Sequence, residues 1–291
     1  MELKVGYKQT EVGGIPEDWQ IMPIGQACRL HNGRAYGLHE WEQSGVPVIR
    51  LQNLTGGNDY YFSNLKLADN KYCDHGDLLF MWSATFGPRI WLGERAIYHY
   101  HIWKVVPKAD VATKAYLFHK FESITEEKKA HSTNGGTMLH FTKSDMEGTL
   151  IAVPGVAEQE SIANALSDAD ALIESLDQLI AKKRQIKQGA MQELLTGKRR
   201  LPGFGGKWEV KRLGDVGKCI RGVTYNGDND LWPHDTSYTK RLLRSNNVQK
   251  STVVIDDIQF VNLNRVAPQQ LLRQNDILVC MANGSKALAG C

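Results

Sequence analysis

The sequence lacks the features that mark secreted and membrane proteins. Its five cysteines are scattered and form no CxxC pair, and an odd number of cysteines without a signal peptide is typical of a reducing compartment. The amino-terminal residues have no apolar core like that of a signal sequence, and no run of about 18 apolar residues predicts a membrane span. We therefore expect a cytoplasmic protein that makes no membrane contact.

Catalytic motifs are missing as well. No Pro-Pro pair exists, although an adenine methyltransferase needs one in its Asn/Asp-Pro-Pro-aromatic motif. Gln192 stands where a GxxxxGK phosphate loop ending at Gly197-Lys198 would need glycine. Glu126-Glu127-Lys128 fits the end of a nuclease motif, but it lies on a charged helical face without a suitable upstream carboxylate. The sequence predicts no catalytic residue and no cofactor.

Metal-ligating patterns are sparse. His99 and His101 would point to the same face of a strand and could hold a metal ion, but no cysteine or aspartate lies close to them in the sequence. A structural role for the two histidines is the favoured alternative. The sequence predicts no metal site.

Length and charge allow a broad class of partners. A chain of 291 residues suggests two domains with a connector. The formal net charge of +3 is mildly basic, which is compatible with nucleic-acid binding but does not establish it.

What the sequence does contain is one long apolar repeat. Its seam recurs at alternating intervals of four and three residues, a heptad pattern, and consists of Ile162, Leu166, Ala169, Ile173, Leu176 and Ile180. A second row recurs every seven residues: Ala165, Leu172, Leu179 and Ile186. The pattern predicts one helix over residues 156–195, roughly 60 Å long. A core helix of one globular domain is the alternative, but ordinary helices average about 11–12 residues, so the length favours a coiled-coil arm between domains.

The residues before this helix mix strand and helix patterns. Strands are predicted over 46–53, 77–82, 89–92, 96–100, 102–106 and 149–153, and a helix over 113–129. Residues 8–19 have the breakers of an extended, turn-rich segment, and residues 132–137 those of a polar loop. The predicted fold class is α+β, with mixed α/β domains on either side of the long helix.

The beginning of the chain repeats after the helix. Trp208-Glu209-Val210 stands 189 positions after Trp19-Gln20-Ile21, and Gly222 stands at the same offset from Gly33. Residues 213–216 match 24–27, residues 242–248 parallel 48–54, and residues 275–279 parallel 76–80. A repeat on this scale predicts two copies of one domain.

The repeat sets the expected domain boundaries. Residues 1–155 form the first domain, 156–200 the long helix, and 201–291 the amino-terminal part of a second domain. Cys291 corresponds to a position near residue 92 of the first copy, so the second copy is expected to be incomplete, either as a fragment or as a natural truncation.

This layout resembles the specificity subunit of type I restriction–modification systems. Four stretches carry the resemblance: GYKQTEVGGIPEDW (6–19), PGVAEQESIA (154–163), MQELLTGKRRLPGF (191–204) and KWEVKRLGDV (207–216). Gly155 departs from the family, which often carries a second proline there, and this should alter only the start of the helix.

The resemblance implies a role in DNA recognition. Each target-recognition domain would read one half of a split double-stranded DNA target, and the helices would act as a ruler that also docks two methyltransferase subunits. A motor–nuclease restriction subunit would join the complex, and the specificity subunit itself would be non-catalytic. The rivals are the recognition part of a fused restriction–methylation enzyme and a coiled-coil scaffold without a DNA role. A plausible initiator Met1 with no upstream catalytic domain argues against fusion.

Polar residues at strand ends and in loops are the candidate DNA contacts. Arginine can bind phosphate or pair with guanine, and glutamine and asparagine can read adenine edges, while loop glycines allow close approach to phosphate. The candidates in the first copy are Arg34, Tyr36, Arg50, Gln52, Asn53, Ser83, Thr85, Arg89, Thr133, Asn134 and Thr137. Those in the second copy are Arg221, Tyr225, Arg244, Asn246, Asn247, Asn283, Ser285 and Lys286. For any single candidate, a solvated loop residue is the alternative.

Two expectations concern the surface of the long helix. The basic run Lys182, Lys183, Arg184 and Lys187 either faces solvent or docks a methyltransferase, with phosphate contact as the lesser option. The apolar seam needs a partner helix, and the matching second helix is not in the sequence. We therefore expect two chains to associate through the seam, most simply as a two-fold dimer.

Overall fold

The computed structural model describes residues 5–83, 85–132, 142–249 and 252–281 of the chain. The chain divides into two compact units, Met1–Gln192 and Glu193–Cys291, and each is described by itself. Within the described ranges, none of the helices combines the length and the apolar character that crossing a lipid bilayer requires.

The first unit is a mixed α/β domain that continues into a long helix. Its strands are β1 (Tyr7–Thr10), β2 (Gly13–Pro16), β3 (Gln20–Pro23), β4 (Cys28–Asn32), β5 (Val46–Ile49), β6 (Tyr61–Ser63), β7 (Tyr72–Cys73), β8 (Leu78–Ser83), β9 (Thr85–Ile90), β10 (Ala96–Tyr98), β11 (Ile102–Pro107) and β12 (Leu150–Val153). Its helices are α1 (Ile24–Ala27), α2 (Lys114–Ser132), α3 (Lys143–Gly148) and α4 (Val156–Leu194). The predicted mixed α/β fold class is confirmed.

Two four-stranded sheets build the body of this unit. One has the strand order β4-β11-β8-β9 and is antiparallel throughout. The other has the order β6-β5-β10-β7, in which β5 and β10 run parallel. The antiparallel pair β3–β12 brings the start of the domain beside the strand that leads into α4.

The alternation of side chains along β8 explains why one face of its sheet contacts α2 and the opposite face contacts the other sheet. Leu78 and Phe80 pack in one core with Phe121 of α2, whereas Leu79 and Met81 pack in a second core with Tyr98 of β10. Successive strand residues point to opposite faces, so α2 covers one face of this sheet and the other sheet covers the opposite face. A strand buried on both sides needs an unbroken apolar sequence, and β8 has one.

Several predicted elements end elsewhere in the structure. The strand predicted over 46–53 stops at Ile49, because the chain turns at Arg50 into the 3-10 helix Leu51–Thr55. The candidates Ser83, Thr85 and Arg89 were expected in a polar loop, and this expectation is wrong: they belong to the paired β8–β9 hairpin, with Ser83 opposite Thr85. The extended segment 8–19 contains the β1–β2 hairpin.

The long helix α4 is anchored only in its first turns. The amide of Gln159 is fully buried, donates to the carbonyls of Val111 (2.8 Å) and Pro154 (2.9 Å), and accepts from the Thr113 N–H (2.8 Å). Ala163 is buried one turn further on. Every residue from 164 to 189 is exposed, so within the described part of the first unit the apolar stripe is not buried beyond the first turns.

The second unit contains short elements. Its helix is α5 (Leu213–Val216), and its strands are β13 (Leu231–Trp232), β14 (Thr239–Leu242), β15 (Val248–Gln249), β16 (Thr252–Val253) and β17 (Gln259–Asn262). The strands pair in the orders β13-β17-β14 and β15-β16, all antiparallel. The 3-10 helix Ser245–Asn247 follows β14, as the 3-10 helix Leu51–Thr55 follows β5.

Candidate functional site

Two of the predicted contact segments, those of Arg34 and Arg50, are hydrogen-bonded to opposite sides of β10 and the residues that follow it. The N–H of Arg34 donates to the carbonyl of Tyr98 (3.0 Å), and the N–H of Tyr100 donates back to the carbonyl of Arg34 (3.0 Å). On the other side, the N–H of His99 donates to the carbonyl of Ile49 (2.9 Å), one residue before Arg50. The fold therefore brings Arg34 and Arg50 together, although they lie in separate segments of the sequence.

This meeting depends on Gly33. A Cβ atom at this position would lie 2.2 Å from the carbonyl oxygen of His99 and 2.4 Å from that of Tyr98, far inside van der Waals contact. Only glycine allows the backbone of residues 33 and 34 to approach β10 this closely.

Both arginines lie against a continuous row of aromatic rings. The guanidinium of Arg34 lies 4.3 Å from the ring centre of Tyr36, and that of Arg50 lies 4.1 Å from the ring centre of Tyr61. Trp41 stacks between the two tyrosines, with ring centres 4.7 and 4.5 Å away. We call Arg34, Tyr36, Trp41, Tyr61 and Arg50 the arginine-capped stack. Each cation–π contact contributes roughly 0.5–1 kcal/mol at exposed sites, so the stack holds two flexible side chains in place.

The two arginines differ in their remaining partners. Arg34 forms an ion pair with Glu40, and the hydrogen bond within this pair raises the pKa of the Arg34 guanidinium. Within the described ranges, the side chain of Arg50 makes no hydrogen bond or ion pair, and its Nε is buried without an acceptor. Its terminal N–H groups are therefore available to an outside acceptor such as phosphate or a guanine edge.

Asn53 has a different role from the one its polarity suggested. It is buried, its Oδ1 accepts from the N–H of Arg50 (2.9 Å), and its Nδ2 donates to the carbonyls of Gly57 (3.2 Å) and Asp59 (2.9 Å). The amide thus organises the loop after β5, while the neighbouring Gln52 is exposed.

The second unit repeats this loop. The Oδ1 of Asn247 accepts from the N–H of Arg244 (3.0 Å), and its Nδ2 donates to the carbonyls of Val254 (3.1 Å) and Asp256 (2.8 Å). The Nε of Arg244, like that of Arg50, is buried without an acceptor. The same geometry at matching positions is what two copies of one domain should have.

Arg244 differs from Arg50, its counterpart in the first copy, because its side chain forms an ion pair. Its terminal nitrogen pairs with the carboxylate of Asp257 (2.8 Å), which also accepts a hydrogen bond from the exposed Asn246 (3.3 Å). A groove of about 590 Å³ separates residues 222–225, which include Tyr225, from residues 242–246. Arg221 is exposed beside it. Here too, two predicted contact segments lie together.

The other candidates lie elsewhere or outside the described residues. Thr85 and Arg89 are exposed positions of β9, separated by three buried residues, and the structure does not bring them into the arginine-capped stack. The remaining candidates lie outside the described ranges: Thr133, Asn134, Thr137, Asn283, Ser285 and Lys286.

Reasoning from the sequence missed Trp41, Tyr61 and His99. The first two are single aromatic residues in turn-rich, polar segments, and single surface aromatics are ordinary in folded proteins, so the sequence contains no local signal for them. His99 packs beside the stack, with its ring centre 6.3 Å from that of Trp41. The metal-ligand interpretation of His99 gains no support, because within the described ranges neither His99 nor His101 belongs to a cluster of three ligating side chains.

His99 makes the region around the stack sensitive to acid. Burial, followed by the charges of His101 and Arg50, lowers the pKa of His99 to about 4, whereas an unfolded histidine titrates near pH 6.5. Between these values the unfolded chain binds a proton that the folded chain does not, so the free energy of unfolding should fall as the pH falls from about 6.5 to 4. Urea unfolding of the parent and a His99→Gln variant across this window tests the expectation. Over this window, the free energy of unfolding should fall less for the variant than for the parent. Equal slopes of this free energy against pH in the two proteins would contradict a lowered pKa of His99.

Comparisons with known proteins agree with this architecture. The family model for the type I restriction modification DNA specificity domain matches residues 16–185. The chain is 24% identical over 290 residues to the type I restriction enzyme MjaVIII specificity subunit of Methanocaldococcus jannaschii, covering 94% of this chain and 66% of that protein. It is 25% identical over 176 residues to the EcoBI specificity subunit of Escherichia coli, covering 60% of this chain and 36% of that protein.

A solved structure shares the fold. It is described as showing complex assembly and conformational transition of the type I R-M system, and one of its chains matches with a TM-score of 0.51 at 16% identity. The match covers 62% of this chain and 46% of that chain. The chain therefore spans two thirds or less of the length of the relatives that it matches.

Proposed function

The chain belongs to the family of type I restriction modification DNA specificity domains, and from that premise we propose that it binds double-stranded DNA and supplies sequence recognition to a type I restriction–modification complex. On this proposal it is non-catalytic, and methylation and cleavage are carried out by other subunits. The complex would work in the cytoplasm, in line with the free cysteines Cys28, Cys73 and Cys219.

One observation in this chain supports the proposal most directly. The guanidinium of Arg50 is held 4.1 Å from the ring centre of Tyr61, and it has no internal anion among the residues that the structure describes. An arginine that is fixed in place but unpaired loses little side-chain entropy when an outside acceptor binds. Double-stranded DNA offers such acceptors as phosphate oxygens and as the guanine edge.

Replacing Arg50 by Ala is therefore expected to weaken DNA binding. If Arg50 contacts a phosphate, affinity should drop on all sequences and the slope of log K against log salt should decrease in magnitude by about one. If it contacts a base, the loss should be about 1–3 kcal/mol and should relax specificity at one position. Titration of a labelled duplex at several salt concentrations measures both, with the target sequence taken from mapped methylation sites.

Arg95 offers a matched control. It also stacks on a tyrosine, 4.5 Å from the ring centre of Tyr72, but its guanidinium is already paired with Asp69 (3.1 Å) and Asp74 (3.0 Å). Arg95→Ala should leave DNA binding unchanged. A coiled-coil scaffold without a DNA role would show no difference between the Arg50 and Arg95 variants, and that outcome would refute the proposal.

The partners follow from the same premise. We propose that methyltransferase subunits dock on the long helix and that a motor–nuclease restriction subunit joins through the assembled complex. The basic run Lys182, Lys183, Arg184 and Lys187 supports docking, because these side chains are exposed and have no ion-pair partner in the described part of the chain.

A separate observation supports self-association through α4. Apart from Glu193 near its end, the charged residues are segregated along this helix: the acidic side chains Glu158, Glu160, Asp168, Asp170, Glu174 and Asp177 come first, and the basic run follows. Two copies crossing antiparallel near Leu179 would place the acidic half of each helix against the basic half of the other. This pairing would also cover the exposed apolar stripe, so we propose a two-fold, antiparallel dimer of this chain when no other partner covers the helix.

A further inference from the structure

A cluster of ligating side chains lies between α2 and α4. His119 and Glu122 are one turn apart on α2, and Ser167 and Asp170 are one turn apart on α4. One ligand atom from each of His119, Glu122 and Asp170 lies within 4.8 Å of the other two. Three ligating atoms at this separation can surround a single ion with only a small movement of their side chains.

The histidine at the centre of the cluster is held rigidly. Its side chain is only 10% exposed, and its Nδ1 lies 3.1 Å from a carboxylate oxygen of Glu122. Its Nε2 lies 3.2 Å from the hydroxyl of Ser167. A metal-bound histidine typically has its second ring nitrogen hydrogen-bonded in this way, which fixes both the tautomer and the orientation of the ring.

The charges in the cluster are unbalanced. Glu122 and Asp170 bring two carboxylates together, and no lysine or arginine in the described ranges forms an ion pair with either of them. Two like charges this close repel each other unless a cation lies between them. One imidazole nitrogen and two carboxylates are ligands that zinc accepts in a site with an open fourth position for water.

The cluster also continues the face of α4 that contacts the domain. Gln159, Ala163, Ser167 and Asp170 follow at intervals of four, four and three, so they lie on one side of the helix. The first two are buried against the domain, whereas residue 164 onward is exposed. A bond between α2 and Asp170 would fix the helix about 10 Å beyond its last buried residue.

We propose that His119, Glu122 and Asp170 form a binding site for a divalent transition-metal ion, with zinc as the best match. The ion acts as a clip that fixes the direction in which α4 leaves the first domain, and Ser167 orients the histidine. The site has no part in DNA contact, so it stands apart from the arginine-capped stack and does not depend on the proposed function.

Metal titration of the full chain tests this site. After treatment with a chelator, the chain should bind one equivalent of zinc, measured by calorimetry, and cobalt should give the absorption spectrum of a low-coordinate site. Zinc should also slow hydrogen exchange of the amides in residues 164–172, because the clip restricts that part of the helix. Magnesium should not replace zinc, since it prefers an all-oxygen octahedral shell.

Variants on the same two helices separate ligands from bystanders. Asp170→Asn should abolish saturable zinc binding, and Ser167→Ala should weaken it about 10–100-fold, as loss of a hydrogen bond to a ligand does. Asp168→Asn removes the same charge from α4 outside the cluster and should bind zinc like the parent. Circular dichroism checks that each variant folds. Absence of saturable binding to the parent, equal binding by Asp170→Asn, or equal affinity for magnesium would overturn the proposal.

Discussion

A chain in which Leu166 and Ile173 are both changed to Lys is expected to be monomeric at concentrations where the parent is a dimer. The two side chains are 44% and 58% exposed and lie seven residues apart on the apolar stripe of α4. Burying each such side chain contributes about 1.5–3 kcal/mol, and a dimer loses four of them while gaining four lysines at its seam. Since about 1.4 kcal/mol is a tenfold change in Kd, the dimer should weaken by more than about a thousandfold. Sedimentation equilibrium at micromolar concentration measures the change.

A control variant separates the effect of the seam from that of added charge. Ala171→Lys with Gln178→Lys adds the same two charges at the same spacing, but on the side of α4 away from the seam, so this variant should remain dimeric. Lys183→Glu should weaken the dimer, because an antiparallel crossing places this residue near the acidic half of the second helix. A parent chain that is monomeric at micromolar concentration would refute the dimer, as would a seam variant that associates like the parent.

Lengthening α4 should change which DNA the protein recognises. A heptad inserted after Leu176 keeps the apolar stripe in register and adds roughly 10 Å to the helix, which corresponds to about three base pairs at 3.4 Å each. If α4 sets the spacing between two half-sites, both half-site sequences should stay the same while the spacer grows. Binding to the original target should fall toward the non-specific level, which is typically 10³–10⁷-fold weaker.

The readout of this experiment is the methylated sequence in cells that carry the lengthened chain together with its methyltransferase. An insertion of the same length in the exposed turn at Glu11-Val12 between β1 and β2 is a suitable control, because it leaves both α4 and the loop after β5 unchanged and should preserve the spacer. Altered half-sites with an unchanged spacer would contradict the role of α4 as a ruler.

The sequence was most informative where one physical signal dominated. The heptad pattern over 156–195 predicted α4 within one residue at its carboxyl end, because a long apolar stripe at helical spacing fits few structures besides a helix. The continuous apolar run of β8 was equally clear. The correspondence of segments 33–36 and 48–54 with their second-copy equivalents could be inferred from the repeat, and the loops after β5 and β14 have the same hydrogen-bonded asparagine.

The site was harder to predict because similar residue types serve different purposes. Gln52 and Asn53 are adjacent amides that can read bases equally well, yet only Gln52 is exposed, and Asn53 is used within the loop. Which of the two amides is buried depends on the residue at which β5 ends, and the sequence predicted that end four residues too late. The arginine-capped stack joins residues 34, 36, 41, 50 and 61, which come together through the pairing of β5 with β10 and β6 and through the bridge between Arg34 and His99, so no local pattern could reveal it.

The buried asparagine after β5 has a consequence for how this protein can change. Asn53 holds the loop by hydrogen bonds to backbone groups alone, so these bonds do not depend on which side chains surround it. Gln52 in the first unit and Asn246 in the second each donate one exposed hydrogen bond, to the carbonyl of Asp59 and to the carboxylate of Asp257. Replacing either residue removes that bond and leaves the bonds of the buried asparagine in place. If the exposed positions contact DNA as proposed, substitutions there would change the DNA target while the asparagine in each copy keeps the loop in place.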